Sequence, residues 1–298
     1  MKIVVAGGTG FLGRALVARL RAEGYAVQVL TRTSRGADEI SWDPDGTAGP
    51  WASALDDADA IVNLAGESIA AGRWTAARKA RIRESRIRAT RSLVAAIGKA
   101  RRGPSVFLSG SATGYYGPHG DEPVTEQTPP GSDFLASVCR DWETEALRAA
   151  GATRVVLLRT GIALEKDGGA LPQMALPFRL FAGGPVGTGR QYQAWIHRDD
   201  WVSMVNWALR TSSVSGPLNF TAPTPVTNRE FAGALGRVLR RPAFVPAPAF
   251  AMRLALGEMA DALLLTGQRV VPAAAQAQGF HFEYPTLEPA LRAIYGPT

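Results

Sequence analysis

Short apolar runs alternate with amphipathic stretches along most of the chain. Apolar runs of this length are typical of strands buried on both faces, and the stretches between them are typical of helices that cover a parallel sheet. The pattern therefore predicts an α/β fold with a parallel sheet between two layers of helices. The predicted strands are Lys2–Ala6, Ala26–Thr31, Ala60–Leu64, Ser105–Ser109, Val155–Arg159 and Leu218–Phe220, and the predicted helices are Phe11–Glu23, Ala76–Lys99, Phe134–Ala149 and Asp199–Leu209.

The regular alternation ends near Ala163. Glycine, proline and arginine become frequent between residues 163 and 197, which predicts a loop and hairpin region over the carboxyl edge of the sheet. Further along, Pro242, Pro246 and Pro248 precede a helical pattern in LALGEMADALLLTGQRV. We interpret this last part as a smaller cap made of one or two helices and short strands.

The composition excludes several classes of protein. Hydrophobic residues make up 46% and charged residues 20% of the 298 positions, which is usual for a globular protein. No apolar run reaches the ~18 residues that a membrane helix needs, and the first run is too short for a signal peptide. Cys139 is the only cysteine, and the three histidines show no ligand spacing. We therefore expect a cytoplasmic protein with no disulfide, no membrane partner and no metal site.

The net charge of +7 suits either a nucleic acid or an anionic small molecule as partner. Much of the positive charge lies in RKARIRESRIRATR, residues 78–91, whose apolar positions recur at helical spacing. Few aromatic residues interleave with these arginines, and Glu84 interrupts them. An exposed helix face therefore explains the segment better than nucleic-acid binding, and we expect no nucleic-acid partner.

A glycine motif follows the first predicted strand. The segment GGTGFLG places Gly7, Gly10 and Gly13 at G-x-x-G-x-x-G spacing before a helical run. Gly7 and Gly10 let backbone amides approach a pyrophosphate, and Gly13 lets the helix pack closely on the strand. In this strand–turn–helix context the motif predicts dinucleotide binding.

The motif narrows the fold class to a Rossmann-type, doubly wound parallel sheet of the α/β class with a small α+β C-terminal cap region. We place the dinucleotide-binding domain at residues 1–162, with its sheet continuing through about 198–222. The region that covers the substrate is then formed by residues 163–197 and 223–298.

The end of the second predicted strand indicates which dinucleotide is bound. An NAD site usually places a carboxylate there for the ribose 2′-hydroxyl, whereas VLTRTSR offers Thr31, Arg32 and Arg35. Arginine makes charge-assisted hydrogen bonds to phosphate, so the segment favours NADP(H), unless these arginines are simply exposed loop residues.

The order of motifs resembles that of the extended short-chain dehydrogenase/reductases. GGTGFLG, DADAIVNLAG (residues 57–66), SGSATGYYG (109–117) and WIHRDD (195–200) carry this resemblance from Met1 to about Phe220. The segments RPAFVPAPAF, GEMADALLLTGQRVVP and GFHFEYPTLEPAL resemble the C-terminal domain of an atypical branch labelled epimerase family protein or nucleoside-diphosphate-sugar epimerase. With that domain the resemblance spans nearly the whole chain.

The resemblance implies roles for further residues. The NLAG segment runs beside the cofactor, and Ser111 hydrogen-bonds a carbonyl or hydroxyl oxygen of the substrate. Members of the family often dimerise through helices equivalent to residues 76–99 and 134–149, so a homodimer is expected by analogy. The complete set expected to bind cofactor is Gly7, Thr9, Gly10, Phe11, Leu12, Gly13, Thr31, Arg32, Arg35, Asn63, Leu64, Ala65, Gly66, Glu67 and Ser109.

The proton donor typical of that family is missing. Short-chain enzymes usually place a Tyr four residues before a Lys, which lowers the Tyr pKa and holds the nicotinamide ribose. No tyrosine of this chain has a Lys at the fourth following position. In SDFLASVCRDWE, Phe134 stands where the Tyr is expected and Val138 where the Lys is expected, and neither side chain can carry a proton.

Other residues are candidates for the proton transfer. Tyr115 and Tyr116 lie within the serine segment itself, and Tyr116-Gly117 matches a Tyr-Gly that the family carries for structural or substrate contacts. His197 has a suitable pKa, but we expect it to order its loop, with Asp199 and Asp200 as N-cap and first turn of the next helix.

Arginine and aromatic residues are candidates for substrate binding over the carboxyl ends of the strands. Arginine recognises phosphate or carboxylate, which favours a small anionic substrate, and aromatic side chains could stack on a ring. The candidates are Arg159, Arg179, Arg190, Trp74, Tyr192 and Trp195, and exposed-surface or core roles are the alternatives for each.

The sequence supports two hypotheses of different classes. The first is an NADP(H)-binding atypical short-chain dehydrogenase/reductase, acting as a reductase or sugar-nucleotide-type epimerase, with Ser111, Tyr115 and Tyr116 as catalytic candidates. The second is a catalytically inactive NADP(H)-binding sensor or scaffold, which the missing Tyr-x-x-x-Lys pair favours.

Overall fold

A seven-stranded sheet forms the centre of the protein, whose computed structural model describes residues 1–296. The strands are β1 Lys2–Ala6, β2 Ala26–Thr31, β3 Glu39–Ser41, β4 Ala60–Asn63, β5 Val106–Ala112, β6 Pro123–Val124, β7 Arg154–Thr160, β8 Ile162–Glu165, β9 Gly168–Gly169, β10 Tyr192–Gln193, β11 Trp195–His197, β12 Gly216–Phe220, β13 Val226–Thr227 and β14 Arg269–Val270. The α-helices are α1 Phe11–Ala22, α2 Ala76–Ile97, α3 Phe134–Leu147, α4 Leu171–Arg179, α5 Arg198–Arg210, α6 Asn228–Leu239, α7 Ala249–Leu256, α8 Glu258–Ala260, α9 Ala273–Ala277 and α10 Leu287–Tyr295.

The strand order of the central sheet is β3-β2-β1-β4-β5-β7-β12, and every neighbouring pair is parallel. The chain runs from β1 through β2 to β3 on one side of β1 and from β4 to β12 on the other side, so the order reverses between β1 and β4. In doubly wound sheets a ligand binds outside the carboxyl ends of the strands at such a point. The predicted fold class is confirmed.

Two apolar layers cover the sheet, one on each face. On one face the core contains residues of α1 and α5, among them Leu16, Leu20 and Trp201. On the other face residues of α2 and α3 pack on the strands, with Phe107 from β5 at the centre. The four main predicted helices are therefore present, because each has an apolar stripe that only the sheet can cover.

Two features of the strands differ from the prediction. Strand β3 was missed because it has only three residues and none of them is buried. Strand β5 continues three residues beyond the predicted end at Ser109 to Ala112, so Ser111 also lies in the strand. The following residues, Thr113–Tyr116, form a short 3-10 helix.

The region from 163 to 197 is more ordered than the predicted loops and hairpins. Strands β11, β8 and β9 form a small sheet of their own, and α4 packs over it. Pro172 and Pro177 hid this helix, since Pro172 is tolerated at a helix start and Pro177 lies inside the last turn. The C-terminal helical pattern is likewise divided at Gly257, which has a φ of +64°.

The C-terminal segment is fixed to the sheet by two buried carboxylates. Asp200, in the first turn of α5, accepts hydrogen bonds from the backbone N–H groups of Glu283 and Tyr284, at 2.8 and 2.9 Å. Glu126 accepts from the backbone N–H groups of Asn219 in β12 and Ala274 in α9, at 3.0 and 3.2 Å. Asp200 thus joins the C-terminal segment to α5, and Glu126 joins it to β12 of the sheet.

A larger side chain at Gly13 is expected to destabilise the fold. A Cβ at this position would lie 2.2 Å from the carbonyl oxygen of Gly7, which is backbone and has no room to move. We expect Gly13→Ala to lower the free energy of unfolding by about 1–3 kcal/mol or more, the usual cost of overpacking. Chemical denaturation of Gly151→Ala is the matched control, since a Cβ there meets nothing within 4 Å. Equal stability of the two variants would contradict the close approach of helix and loop.

Candidate functional site

A cavity of about 640 Å³ lies at the carboxyl ends of β1, β2 and β4. It coincides with the point where the strand order reverses. Ten of the predicted cofactor residues line it, together with Leu30, Thr33, Glu39, Trp42, Pro44, Ser68 and Ser85. The ten are Gly7, Thr9, Gly10, Thr31, Arg32, Arg35, Leu64, Ala65, Gly66 and Glu67.

The floor of this cavity is built from closely approaching backbone. Gly7 has a φ of +78°, and a Cβ on it would lie 2.7 Å from the carbonyl carbon of Leu64. Gly10 is the N-cap of α1 and provides no side-chain cap, so the first N–H groups of that helix are left for a ligand. These amides and the helix dipole suit the negative charge of a pyrophosphate.

The rim of the cavity carries the two arginines that follow β2. Arg32 and Arg35 are both exposed, and Thr31 lies beside them at the end of the strand. The missed strand β3 brings a carboxylate to the same rim, because Glu39 also lines the cavity. Its Oε2 accepts a hydrogen bond from the backbone N–H of Arg35 at 2.7 Å, so this carboxylate orders the arginine loop.

Some predicted cofactor residues contribute indirectly. Asn63 is fully buried, donates to Thr90 Oγ1 at 2.9 Å and accepts from the N–H of Ala65 at 3.1 Å. It therefore shapes the loop that lines the cavity without reaching the cavity itself. The ring of Phe11 packs against β9, because a Cβ on Gly168 would lie 2.5 Å from that ring.

Three further members of the predicted set also lie off the cavity wall. Leu12 packs its side chain against the core beneath α1. Gly13 is buried where α1 meets the glycine loop. Ser109 is fully buried in β5, and its hydroxyl has no hydrogen-bond partner among residues 1–296.

Ser111 takes part in a buried network and not in an open loop. Its hydroxyl donates to Glu143 Oε1 at 2.6 Å, and both residues are about 5% exposed. The Glu143 carboxylate also accepts two hydrogen bonds from Arg159, at 2.9 Å from Nε and 2.8 Å from Nη2. Since the Ser111 proton points to Glu143, the serine oxygen can only accept a hydrogen bond from a ligand.

Tyr116 belongs to the same network. Its hydroxyl donates to Asn219 Oδ1 at 2.6 Å and accepts from Arg159 Nη1 at 3.0 Å, and the residue is 1% exposed. Burial raises the pKa of Tyr116 to about 12. Both hydrogen bonds of the Tyr116 hydroxyl are therefore made within the protein, and a role for Tyr116 as proton donor stays a prediction.

Tyr115 lies in a different environment from Tyr116. It is partly buried, and its ring packs face-on against the Arg159 guanidinium, whose central carbon lies 3.5 Å from the ring centroid. Within residues 1–296 its hydroxyl makes no hydrogen bond. Of the two tyrosines considered, Tyr115 is thus the one with a hydroxyl available to a substrate.

The helix after the serine segment, α3, carries Phe134 and Val138 at the two positions compared with the Tyr and the Lys. Phe134 lies under Lys79, whose Nζ is 4.6 Å from the ring centroid, and edge-on to Trp74 at 5.2 Å. Val138 is buried. The neighbouring Cys139 is also buried, and burial raises the pKa of its thiol to about 12, so it is no nucleophile.

The predicted substrate residues do not converge on one place. Arg159 is buried and engaged by Glu143, which corrects its assignment to the substrate. The hydrogen bonds and charge of Glu143 outweigh the effect of burial and hold the pKa of Arg159 above its ordinary value. Trp195 is fully buried and donates to the carbonyl of Thr224, so it packs the cap core.

The remaining candidates lie towards the surface. Arg179 and Arg190 are exposed, and neither lines the described cavity. Tyr192 is partly buried beneath Arg269, with 5.6 Å between the guanidinium carbon and the ring centroid. Trp74 is held by a hydrogen bond from its indole N–H to the carbonyl of Ile69.

His197 has the structural role that we expected, but as the cap itself. Its Nδ1 accepts a hydrogen bond from the backbone N–H of Asp199 at 3.1 Å, so His197, and not Asp199, is the N-cap of α5. The imidazole is 3% exposed and packs on the Tyr284 ring at 4.0 Å. Burial lowers the pKa of His197, which keeps the ring neutral.

Glu67 lines the cavity, and two arginines of α2 form ion pairs with its carboxylate. Its Oε2 lies 3.1 Å from Arg78 Nη1 and 3.6 Å from Arg81 Nε. Its backbone N–H donates to Ser85 Oγ at 3.1 Å. The carboxylate is therefore part of the wall and is held in place by two cations.

Comparison with known families gives two matches. The model described as the NAD dependent epimerase/dehydratase family matches residues 3–219, and a domain of unknown function, DUF1731, matches residues 247–294. The chain is 44% identical to the chloroplastic epimerase family protein SDR39U1 homolog of Arabidopsis thaliana, covering 99% of this chain and 86% of that one. It is 43% identical to an epimerase family protein of Mycobacterium leprae, covering 97% and 94%. Because one relative is chloroplastic and the other bacterial, a cytoplasmic location stays a prediction.

Two solved structures are similar over the whole chain. The human epimerase family protein SDR39U1, crystallised with NADPH, is 37% identical and has a TM-score of 0.92, with 99% of each chain covered. A nucleoside-diphosphate sugar epimerase from Corynebacterium glutamicum is 34% identical with a TM-score of 0.82, covering 99% of this chain and 58% of that one. Among residues 1–296 no helix is long and apolar enough to cross a membrane.

Breaking the buried ion pair is expected to be costly. Arg159→Met leaves the Glu143 carboxylate buried without its cation, which typically costs about 3–5 kcal/mol of folding free energy. Arg83→Met removes an exposed pair with Asp141 on the neighbouring helices and is the matched control, with little change expected. Urea unfolding of both variants measures the difference. Similar midpoints for the two would contradict the proposed importance of the network.

Proposed function

Because the chain belongs to the NAD dependent epimerase/dehydratase family, we propose that it binds NADP(H) in the cavity at the ends of β1, β2 and β4. We propose further that it acts as an atypical reductase or sugar-nucleotide-type epimerase on a small anionic substrate. The family resemblance drawn from the order of motifs is confirmed by these matches.

The observation that carries the cofactor assignment is that one cavity has the glycine loop at its floor and two arginines, Arg32 and Arg35, at its rim. The uncapped start of α1 suits the pyrophosphate, and Arg32 and Arg35 suit a 2′-phosphate at the end of β2. The human relative's crystallisation with NADPH supports the same choice. When bound, the cofactor supplies or accepts the hydride, and the protein has to supply the proton.

Tyr115 is the proton carrier that we assign to this reaction. Its hydroxyl makes no hydrogen bond within residues 1–296, whereas that of Tyr116 is enclosed by Asn219 and Arg159. Ser111 would accept a hydrogen bond from a substrate hydroxyl, which suits the alcohol side of the reaction.

A second function is supported by a specific observation. Phe134, whose ring contacts Lys79, and the buried Val138 stand where the family resemblance expects the Tyr and the Lys. In addition, the Ser111 hydroxyl donates its hydrogen bond to Glu143. A protein that binds NADP(H) without turnover, as a sensor or scaffold, would tolerate all three features.

Removing the rim charge is expected to weaken NADPH binding selectively. Arg32→Ala should raise the Kd for NADPH about 10- to 100-fold, the loss of one or two charge-assisted hydrogen bonds. The Kd for NADH should change little, because NADH has no 2′-phosphate. Fluorescence titration of both cofactors measures this, with Arg101→Ala as an exposed control remote from the cavity. A parallel loss for both cofactors would refute the assignment.

Removing the Tyr115 hydroxyl is expected to abolish turnover without affecting cofactor binding. Tyr115→Phe should lower kcat by about 10²-fold or more, the usual contribution of a general acid or base. NADPH oxidation is followed with aldehydes, ketones and nucleotide sugars, and Tyr25→Phe, outside the cleft, is the control. Unchanged kcat in Tyr115→Phe would exclude it as proton carrier. No oxidation with any substrate, despite tight NADPH binding, would favour the sensor or scaffold.

A further inference from the structure

Arg86 on α2 lies beside the cofactor cavity, between the loop that follows β4 and helix α3. Its Nη1 donates to the carbonyl of Ile82, one turn earlier, at 2.9 Å. The guanidinium carbon lies 5.2 Å from the centroid of the Trp142 ring. A Cβ on Gly66 would lie 3.2 Å from that carbon, so the absent side chain at Gly66 leaves room for the guanidinium.

No carboxylate within residues 1–296 pairs with Arg86. The nearby Glu67 points its carboxylate at Arg78 and Arg81 instead. Arg86 is half-buried, and burial lowers the pKa of its guanidinium. A half-buried cation without an anionic partner costs folding free energy, which the Ile82 carbonyl and the Trp142 ring offset in part.

The other arginines of the same helix behave differently. Each of them has a carboxylate within 4.0 Å, so an exposed basic helix face does not explain Arg86. The pairs are Arg78 and Arg81 with Glu67, Arg83 with Asp141, Arg88 with Glu84, and Arg91 with Glu145.

The position of Arg86 relates it to the missing lysine. Arg86 lies over the Trp142 ring, and that ring also packs against β5, because a Cβ on Gly110 would lie 2.7 Å from it. Trp142 lies one helical turn after Val138, so the two share a face of α3. Arg86 thus brings a positive charge from α2 to the side of α3 where the resemblance expects a lysine.

We propose that Arg86 binds a carboxylate of the substrate through Nε and Nη2. With Nη1 engaged by Ile82, these two atoms form the free edge of the guanidinium, and their spacing matches the two oxygens of a carboxylate. The proposal rests on the proposed function, and it names the substrate class as small carboxylic acids. It also replaces Arg159 as the residue that recognises the anion.

The test measures oxyanion binding and cofactor binding separately. Oxamate and malonate are titrated by calorimetry into the NADPH-loaded protein, with oxamide and malonamide as uncharged counterparts. We expect millimolar binding of at least one acid and none of its amide. In Arg86→Gln that binding should fall about tenfold or more, while the Kd for NADPH stays within about threefold. Arg83→Gln, which loses a paired arginine on the same helix, should match the wild type.

The other outcomes of the acid titrations overturn the inference, whereas a failure to bind NADPH bears on the proposed function. No binding of either acid to the wild type would remove the carboxylate site. A fall in NADPH affinity as large as the fall in acid affinity would assign Arg86 to a cofactor phosphate. If Arg86→Gln does not fold, Arg86→Lys decides, because unchanged acid binding without the planar fork would also refute the proposal. Failure of the wild type to bind NADPH at all would instead refute the proposed function, and acid binding to the free protein would still report on Arg86.

Discussion

The buried ion pair between Glu143 and Arg159 determines how the serine end of the sheet is built. Both charges are out of water, so each needs the other together with enough hydrogen bonds to replace lost solvent. The pair recruits Ser111 from β5 and Tyr116 from the 3-10 helix, and through Tyr116 it reaches Asn219 in β12. Three strand ends are thereby held in one arrangement beneath the cleft.

This arrangement also separates structural from chemical residues within one short segment. Two neighbouring tyrosines receive opposite environments, because Tyr116 turns into the network and Tyr115 lies over it. Ser111 and Tyr116 both take part in the hydrogen bonds that hold the strand ends, and Ser111 keeps only an acceptor position for a ligand. Our proposals therefore assign proton transfer to Tyr115 and recognition of the substrate carboxylate to Arg86.

Much of the fold could be predicted from the sequence, because the central strands and their helices carry unbroken apolar patterns. The glycine spacing likewise located the cavity, since only glycine fits where Gly7 meets Leu64. The missed elements have weak patterns: β3 is not buried, and α4 is interrupted by proline. The site was harder to predict than the fold. Ser111, Tyr116 and Arg159 are residue types that often bind substrate, and only the structure shows that they bond to one another and to Glu143. Arg86 could not be singled out from the sequence, because it is one of six arginines in a segment whose pattern is typical of an exposed helix.

The two bridging carboxylates give the C-terminal segment a consequence for how the chain unfolds. Asp200 receives both of its backbone hydrogen bonds from Glu283 and Tyr284, and Glu126 receives one of its two from Ala274. A chain shortened after β12 would lack both backbone donors of Asp200 and one of the two donors of Glu126. The region matched by the dehydratase family and the region matched by the domain of unknown function are therefore joined by buried hydrogen bonds as well as by the chain itself.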